Sequence, residues 1–239
     1  MSDAGARAGI DRLLERKAQL DSRLAAQPPL AERLRELRSW QAQRLARTYA
    51  DQRADPRRAA AMGFFLSDLY GPQDFSRRDR DLSQAAAVLR HTLPPSARKL
   101  LELAMELAVL SEDLDLAMTG YLPAGPISAE TYAQAYRAVG RPEARRRQIE
   151  LILEIGARLG RTVRIPLIGL ALRAARAPAR IAGLGALQDF FERGFAAFRR
   201  MPSAAPLLDA VRDRETAFMT SLLGEAPSSA APALGHRDA

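Results

Sequence analysis

The chain contains no cysteine, so disulfide bonds, thiolate metal ligands and a cysteine nucleophile are excluded. The lack of cysteine also suits a reducing compartment. The first residues, MSDAGARAGIDRLLERK, are charged and lack the apolar core of a signal peptide, which predicts a cytoplasmic protein. The longest uncharged apolar run, Ile165 to Leu172, is much shorter than the roughly 20 residues that a membrane-spanning helix needs.

Strand-forming residues are scarce as well. Val, Ile, Thr and Tyr are sparse, and no segment shows the sustained alternation of apolar and polar residues that is typical of a half-buried strand. The chain is instead rich in Ala, Leu, Arg and Glu, which are good helix formers. These features predict an all-α fold, a multi-helix bundle of about ten helices with no sheet.

Proline and glycine residues mark the predicted breaks between helices and domains. Pro-Pro pairs at 28–29 and 94–95 and a Gly-Pro corner at 71–72 interrupt the apolar periodicity. We predict a helical hairpin in residues 1–54, packed on or projecting from a main helical domain in residues 55–223. The apolar seam of the hairpin is narrow, which suits either docking or pairing with a second copy. Residues 224–239 are small, polar and rich in proline, and we predict a disordered tail there.

Several residues predict where helices start and which faces they bury. Asp55-Pro56 predicts the start of a helix whose buried stripe is Met62, Phe65, Leu66 and Leu69. Ser128 and Pro142 predict the starts of two later helices, and Gly224 predicts the end of the last one. The helix that follows the break at 94–95 is apolar on two sides, which predicts a central position. Its main stripe is Leu100, Leu103, Leu107, Leu110 and Leu114.

The stretch Phe64-Phe65-Leu66-Ser67-Asp68-Leu69-Tyr70-Gly71-Pro72 resembles an uncharacterised bacterial family known by its FFLEELY motif. Residues 74–79, DFSRRD, and residues 187–195, LQDFFERGF, are similar to that family too. The resemblance covers nearly the whole chain after the hairpin, although Ser67 and Asp68 stand where the motif has two Glu. It implies a bacterial, helical, soluble protein, and it implies no activity, cofactor or partner.

The sequence carries no pattern for catalysis, and we predict no catalytic residue, no metal site and no cofactor. His91 is the single histidine outside the predicted tail, and its place at a helix end favours a structural or surface role. Dinuclear metal sites in helical bundles use Glu-x-x-His pairs, and none occurs here. We interpret the carboxylates of the central helix as a surface acidic face. They are Glu102, Glu106 and Asp113, with Glu150 and Glu154 beside arginines on another helix.

The turn from Tyr70 to Arg78 concentrates specialised residues. The structural interpretation, which we favour, is a rigid corner in which Asp74 caps the next helix. The functional interpretation is a ligand- or anion-binding site that comprises Tyr70, Asp74, Arg77 and Arg78, with the two guanidinium groups as charged donors. This corner is the first candidate site of the chain.

Charge is unevenly distributed along the chain. Residues 100–135 contain six acidic residues and no Lys or Arg, whereas residues 136–200 contain fourteen Arg and five acidic residues. Arg173, Arg176 and Arg180 share one helix face and form a basic patch that could contact the phosphate groups of nucleic acid or lipid. Two simpler explanations are a coding bias toward Arg and pairing with the acidic helix at 100–116.

These observations predict a non-enzymatic helical interaction or regulatory protein that binds another macromolecule. The preferred partner is a protein, which includes a homodimer through the N-terminal hairpin, and nucleic acid or a membrane surface ranks lower. The alternative is a small-ligand-binding protein or an enzyme with a site near the corner from Tyr70 to Arg78.

Overall fold

The chain is all-α in the residues that its computed structural model describes, which are 3–66 and 95–224. Ten helices occupy these two ranges and neither range contains a strand, so the predicted fold class is confirmed. None of the helices in these ranges is long and apolar enough to cross a membrane. The helices are α1 Asp3–Ala26, α2 Pro28–Thr48, α3 Ala50–Ala54, α4 Ala59–Phe64, α5 Pro95–Thr119, α6 Ala129–Val139, α7 Pro142–Thr162, α8 Pro166–Ile181, α9 Gly185–Arg199 and α10 Ala205–Leu223.

Local signals explain where several helices begin and end. Ser128 caps α6, because its hydroxyl accepts the backbone N–H of Thr131 while the Thr131 hydroxyl accepts the N–H of Ser128. Pro142 begins α7, where its missing N–H leaves no hydrogen bond unmade. Gly224 ends α10 in the left-handed conformation at φ 73°. These predicted helix ends are confirmed.

The predicted helix start at Asp55-Pro56 is wrong. The Asp55 carboxylate accepts the backbone N–H of Arg57 at 2.8 Å and the guanidinium of Arg58 at 2.6 Å. These bonds hold residues 55–58 in a turn, and α4 begins only at Ala59. Within the predicted stripe Met62 is fully buried, whereas its neighbours Phe65 and Leu66 are partly buried and Leu69 lies outside the described residues.

Helix α5 occupies the centre of the fold, as its two apolar sides predict. It packs against α1, α2, α6 and α7. Leu103, Leu114 and Met118 have no exposed surface and lie on one side of this helix. Met105, Val109 and Leu116 are buried on another side, so α5 contributes to the core in more than one direction.

The N-terminal hairpin of α1 and α2 docks on α5. Ile10 packs with Met105, and Leu20 and Leu34 pack with Val109. The apolar seam of the hairpin is therefore covered by the chain's own central helix. Pairing of the hairpin with a second copy stays a prediction, and it requires a surface other than this seam.

Three acidic residues of α5 do not lie on a solvated face, and the predicted surface acidic face is wrong for Glu102. Glu102, Glu112 and Asp115 are all buried. The Lys17 ammonium of α1 lies 3.0 Å from the Glu112 carboxylate, and the Arg38 guanidinium of α2 lies 3.5 Å from Asp115. These carboxylates join the hairpin to α5, because a buried charge needs a partner within hydrogen-bonding distance.

The more exposed carboxylates pair with arginines of other turns or helices. Glu106 accepts from Arg147 at 2.8 Å, so α5 and α7 are linked at their surfaces. Glu154 pairs with Arg158 as its i, i+4 spacing predicts. Glu150 pairs with Arg147. The acidic side chains of α5 therefore pair with basic side chains of the same chain.

Two glycines of α7 allow α10 to approach closely. A Cβ added at Gly156 would lie 2.5 Å from a methyl carbon of Leu208, and one at Gly160 would lie 2.9 Å from the Cβ of Ala204. Glycine inside a helix is less favourable than alanine by up to about 1 kcal/mol. The close packing of the two helices explains why glycine occupies these positions.

Gly156→Val is expected to lower the free energy of unfolding by about 2 kcal/mol, because overpacking a well-filled contact costs roughly 1–3 kcal/mol. Urea denaturation measures the change. Gly185→Val is a matched control, since an added Cβ there meets only Arg180 at 3.6 Å. Equal losses in the two variants would show that helix propensity, and not the contact with Leu208, sets the cost.

Candidate interaction surface

The first candidate site cannot be placed in the fold. Tyr70, Asp74, Arg77 and Arg78 all lie outside the described residues, as does His91. Within residues 3–66 and 95–224, no group of three or more His, Cys, Asp or Glu side chains is arranged to hold a metal ion. The second candidate, the basic patch of α8, lies within the described part of the chain.

Among the described helices, α8 packs chiefly against α9. It follows the extended residue Ile165 and continues through Pro178 to Ile181. Gly169 brings it close to α9, since a Cβ at this position would lie 2.9 Å from the ring of Phe195. The partly buried residues of α8 recur every three or four positions and define its inner face. They are Ile168, Leu172, Ala175 and Ala179.

The opposite side of α8 is apolar along its whole length, and it is exposed. Leu167 is 71% exposed, Leu170 58% and Ile181 88%. We call this side the outer face of α8, and it comprises Leu167, Leu170, Ala171, Ala174, Ala177, Pro178 and Ile181. Of the six large hydrophobic side chains that are exposed among the described residues, five lie between residues 165 and 191. The large exposed hydrophobic side chains of the described residues are therefore concentrated on the hairpin of α8 and α9 and at the residue before it.

Arginines line one edge of the outer face. Arg176 donates from Nε to Glu192 at 2.6 Å, and the Arg180 guanidinium lies 4.0 Å from Asp189. Both carboxylates belong to α9, so the explanation that this patch pairs with the acidic helix at 100–116 is wrong. Arg173 is exposed and has no carboxylate partner among the described residues.

The pair of Arg176 and Glu192 braces α8 against α9. Hydrogen bonds from Arg176, and then from Gln188, lower the pKa of Glu192 to about 2, so the carboxylate is ionised at neutral pH. The Gln188 amide also donates to the backbone carbonyl of Leu172 at 2.6 Å. The outer face is thus presented on a hairpin whose two helices are joined by side-chain bonds.

A groove of about 250 Å³ lies near the N-terminal end of α8. Arg164 donates to the backbone carbonyl of Pro202, and the Arg199 guanidinium lies 5.9 Å from the ring centroid of Phe195. Both arginines remain exposed. The groove is lined by Val163, Arg164, Phe198, Arg199 and Met201.

A second polar cluster lies between α2 and α10. The Glu215 carboxylate accepts from Arg44 at 2.7 Å and from the hydroxyl of Tyr49 at 3.0 Å. Burial raises the pKa of the Tyr49 hydroxyl, and the charge of Glu215 raises it further. The Arg44 guanidinium also lies 4.3 Å from the ring centroid of Phe218. Because the carboxylate is already engaged by two donors, we interpret this cluster as a link between helices.

Sequence reasoning singled out the arginines of α8 and missed its outer face. A signal was present, because apolar residues occupy both the inner and the outer positions of this helix. One buried face needs only about half of the helix circumference. A second apolar side could therefore have been recognised between Ile165 and Ile181, whereas its exposure depends on the neighbouring helices, since both apolar sides of α5 are buried.

The family model of a domain of unknown function, DUF8198, matches residues 20–229. This range includes α8 and its outer face, and it agrees with the predicted resemblance to an uncharacterised family. No curated protein and no solved structure shows a significant match to the chain. Since the family model covers most of the chain, the protein belongs to the DUF8198 family, whose domain has no known function.

Proposed function

We propose that the protein is a non-enzymatic helical interaction protein that binds another macromolecule through the outer face of α8. The observation that carries the proposal is the concentration of exposed large hydrophobic side chains on this helix and its immediate neighbours. Large contiguous apolar patches on a folded protein mark sites that bind proteins, ligands or membranes.

The outer face contributes little to folding. Leu167, Leu170 and Ile181 remain mostly in water, whereas full burial of a Leu or Ile side chain stabilises a complex by about 1.5–3 kcal/mol. The hairpin that carries them is already ordered by the bonds between α8 and α9. A partner therefore gains the burial of these side chains without ordering the helix, which favours binding.

Leu170→Gln is expected to change the free energy of unfolding by less than about 0.5 kcal/mol, as surface substitutions usually do. Leu172→Gln, two residues away on the inner face, is expected to destabilise the fold by at least about 1 kcal/mol, because it places an amide against α9. Urea denaturation of both variants measures the contrast. If Leu170→Gln is as damaging as Leu172→Gln, the outer face serves folding and the proposal fails.

The binding itself is tested by photo-crosslinking in cells that produce the chain. A photoreactive phenylalanine analogue replaces Leu170 in one variant and Arg212, an exposed residue of α10, in the control. We expect covalent adducts at position 170 and few at position 212. Sensitivity of the adducts to protease, to nuclease and to lipid extraction identifies the class of partner. Equal yields at the two positions, or none at position 170, would refute the proposed binding surface.

We further propose that the protein works in the bacterial cytoplasm. The lack of cysteine and the resemblance to the FFLEELY family support this location. The alternative function, a small-ligand-binding protein or enzyme with a site between Tyr70 and Arg78, stays a prediction because that corner lies outside the described residues.

A further inference from the structure

We infer that the partner of the outer face of α8 is the surface of an anionic lipid membrane, on which the helix lies flat. This inference rests on the proposed function, since it names the partner of the same surface. Three observations carry it: the shape of the apolar surface, the charge beside it and the position of the helix in the fold.

The shape of the surface fits a lipid interface. Helix α8 has 16 residues and is about 24 Å long, and its outer face is apolar from Leu167 to Ile181. An amphipathic helix that lies in a membrane interface combines such an apolar side with Lys or Arg on the polar side. Among the described helices, α8 packs chiefly against α9, and its outer face is exposed, so that a broad flat surface can reach it.

The charge beside the outer face fits anionic head groups. Residues 161–188 contain five arginines and no acidic residue. The two acids that follow, Asp189 and Glu192, face Arg180 and Arg176. Arg173 along the edge has no carboxylate partner among the described residues, and Arg164 and Arg199 add exposed positive charge at one end. Arginine side chains can place their stems along the apolar layer while the guanidinium groups reach the phosphates.

Other partners fit the same surface less well. A second copy would bring the same arginines to the contact, and like charges would repel. The phosphates of nucleic acid would pair with the arginines, but they would also lie against the apolar outer face, which cannot bind them. A protein interface usually centres on large anchors such as Trp, Tyr or Arg. The middle of the outer face carries only small residues, Ala171, Ala174, Ala177 and Pro178, which a lipid surface accommodates without a matching pocket.

The test is flotation of the full-length protein with vesicles. One set contains phosphatidylglycerol and phosphatidylcholine in equal parts, and the other contains phosphatidylcholine alone. We expect binding to the anionic vesicles, weaker binding at high salt, and little binding to the neutral vesicles. The double variant Leu167→Gln/Leu170→Gln should bind at least about tenfold more weakly. Arg173→Gln should lower the partition coefficient about fivefold, because it removes one cation from the membrane surface.

Two matched variants serve as controls. Tyr121→Gln removes an exposed large side chain elsewhere, and Arg137→Gln removes an exposed arginine of α6. Neither should change the partition coefficient by as much as about twofold, because salt largely screens a charge that lies outside the contact. If they reduce binding as much as the α8 variants do, the membrane contact is not at α8 and the inference fails.

The outcomes separate this inference from the proposed function. If the protein binds neither set of vesicles but forms protein or nucleic acid adducts at position 170, the inference of a membrane partner is overturned. The proposed interaction surface then still stands. If sedimentation shows a dimer, and Leu167→Gln/Leu170→Gln converts it to a monomer, the outer face binds a second copy of the chain. That result also overturns the inference of a membrane partner. The absence of both vesicle binding and adducts overturns both proposals.

Discussion

Lys17→Met is expected to lower the free energy of unfolding by about 3 kcal/mol, the lower end of the range for breaking a buried ion pair. The side chains of Lys17 and Glu112 are only 6% and 4% exposed, and their charged atoms lie 3.0 Å apart between α1 and α5. Without Lys17, the Glu112 carboxylate would keep only Arg38, whose nearest nitrogen is 4.0 Å away. A buried carboxylate with so distant a partner is strongly unfavourable.

The opposite half of the pair behaves differently. Glu112→Leu should destabilise the fold less than Lys17→Met, because the Lys17 ammonium retains its bond to Asp21. The double variant Lys17→Met/Glu112→Leu should recover to within about 1 kcal/mol of the wild type, as apolar replacements of buried ion pairs often do. Arg35→Met provides a control at an exposed ion pair, since the side chains of Arg35 and Glu32 are 63% and 59% exposed. We expect it to cost about 1 kcal/mol or less.

Alkaline pH provides a further check on the same pair. Burial disfavours the Lys17 ammonium, yet Glu112 and Asp21 outweigh the burial, so the pKa of Lys17 is raised above its ordinary value. A raised lysine pKa stabilises the fold below the unfolded value of about 10.4, and this contribution is lost as the pH rises through the folded value. The difference in stability between wild type and Lys17→Met should therefore shrink above about pH 10.4. A difference that stays constant would contradict the account of the ion pair.

Local signals were sufficient to predict the fold class and many helix ends. A cap such as Ser128 or a stop such as Gly224 acts on the residues next to it, so the sequence around it contains the whole interaction. Asp55 shows the limit of such signals. A capping carboxylate has several donors within reach, and here Arg57 and Arg58 use it to make a turn.

Contacts between distant segments could not be predicted in the same way. Glu112 looks like a surface residue because its charge interrupts an apolar pattern, and its partner Lys17 lies on another helix. Periodicity also cannot show which of two apolar sides of a helix is covered. In α5 both sides are buried, whereas in α8 one side packs on α9 and the other is exposed. The outer face therefore becomes evident only when the neighbours of α8 are known.

Glu215→Ala is expected to destabilise the fold by about 3 kcal/mol or more, since it removes the acceptor of two buried donors. Arg44 and Tyr49 both bond to the Glu215 carboxylate, and they join α2 to α10 across a long separation in sequence. The variant would leave the Arg44 guanidinium, which is 15% exposed, facing only the ring of Phe218. A desolvated cation retains little of its stabilisation from a ring alone.

Two milder variants separate the charge from the hydrogen bond. Tyr49→Phe removes one bond to a charged acceptor and should cost about 1.5 kcal/mol. Glu215→Gln keeps an acceptor oxygen while it removes the charge, so its cost should lie between those of Tyr49→Phe and Glu215→Ala. Asp209→Ala, at an exposed ion pair with Arg212 on the same helix, should change stability by less than about 0.5 kcal/mol. If urea denaturation gives equal losses for Asp209→Ala and Glu215→Ala, the Glu215 cluster is no more stabilising than a surface pair.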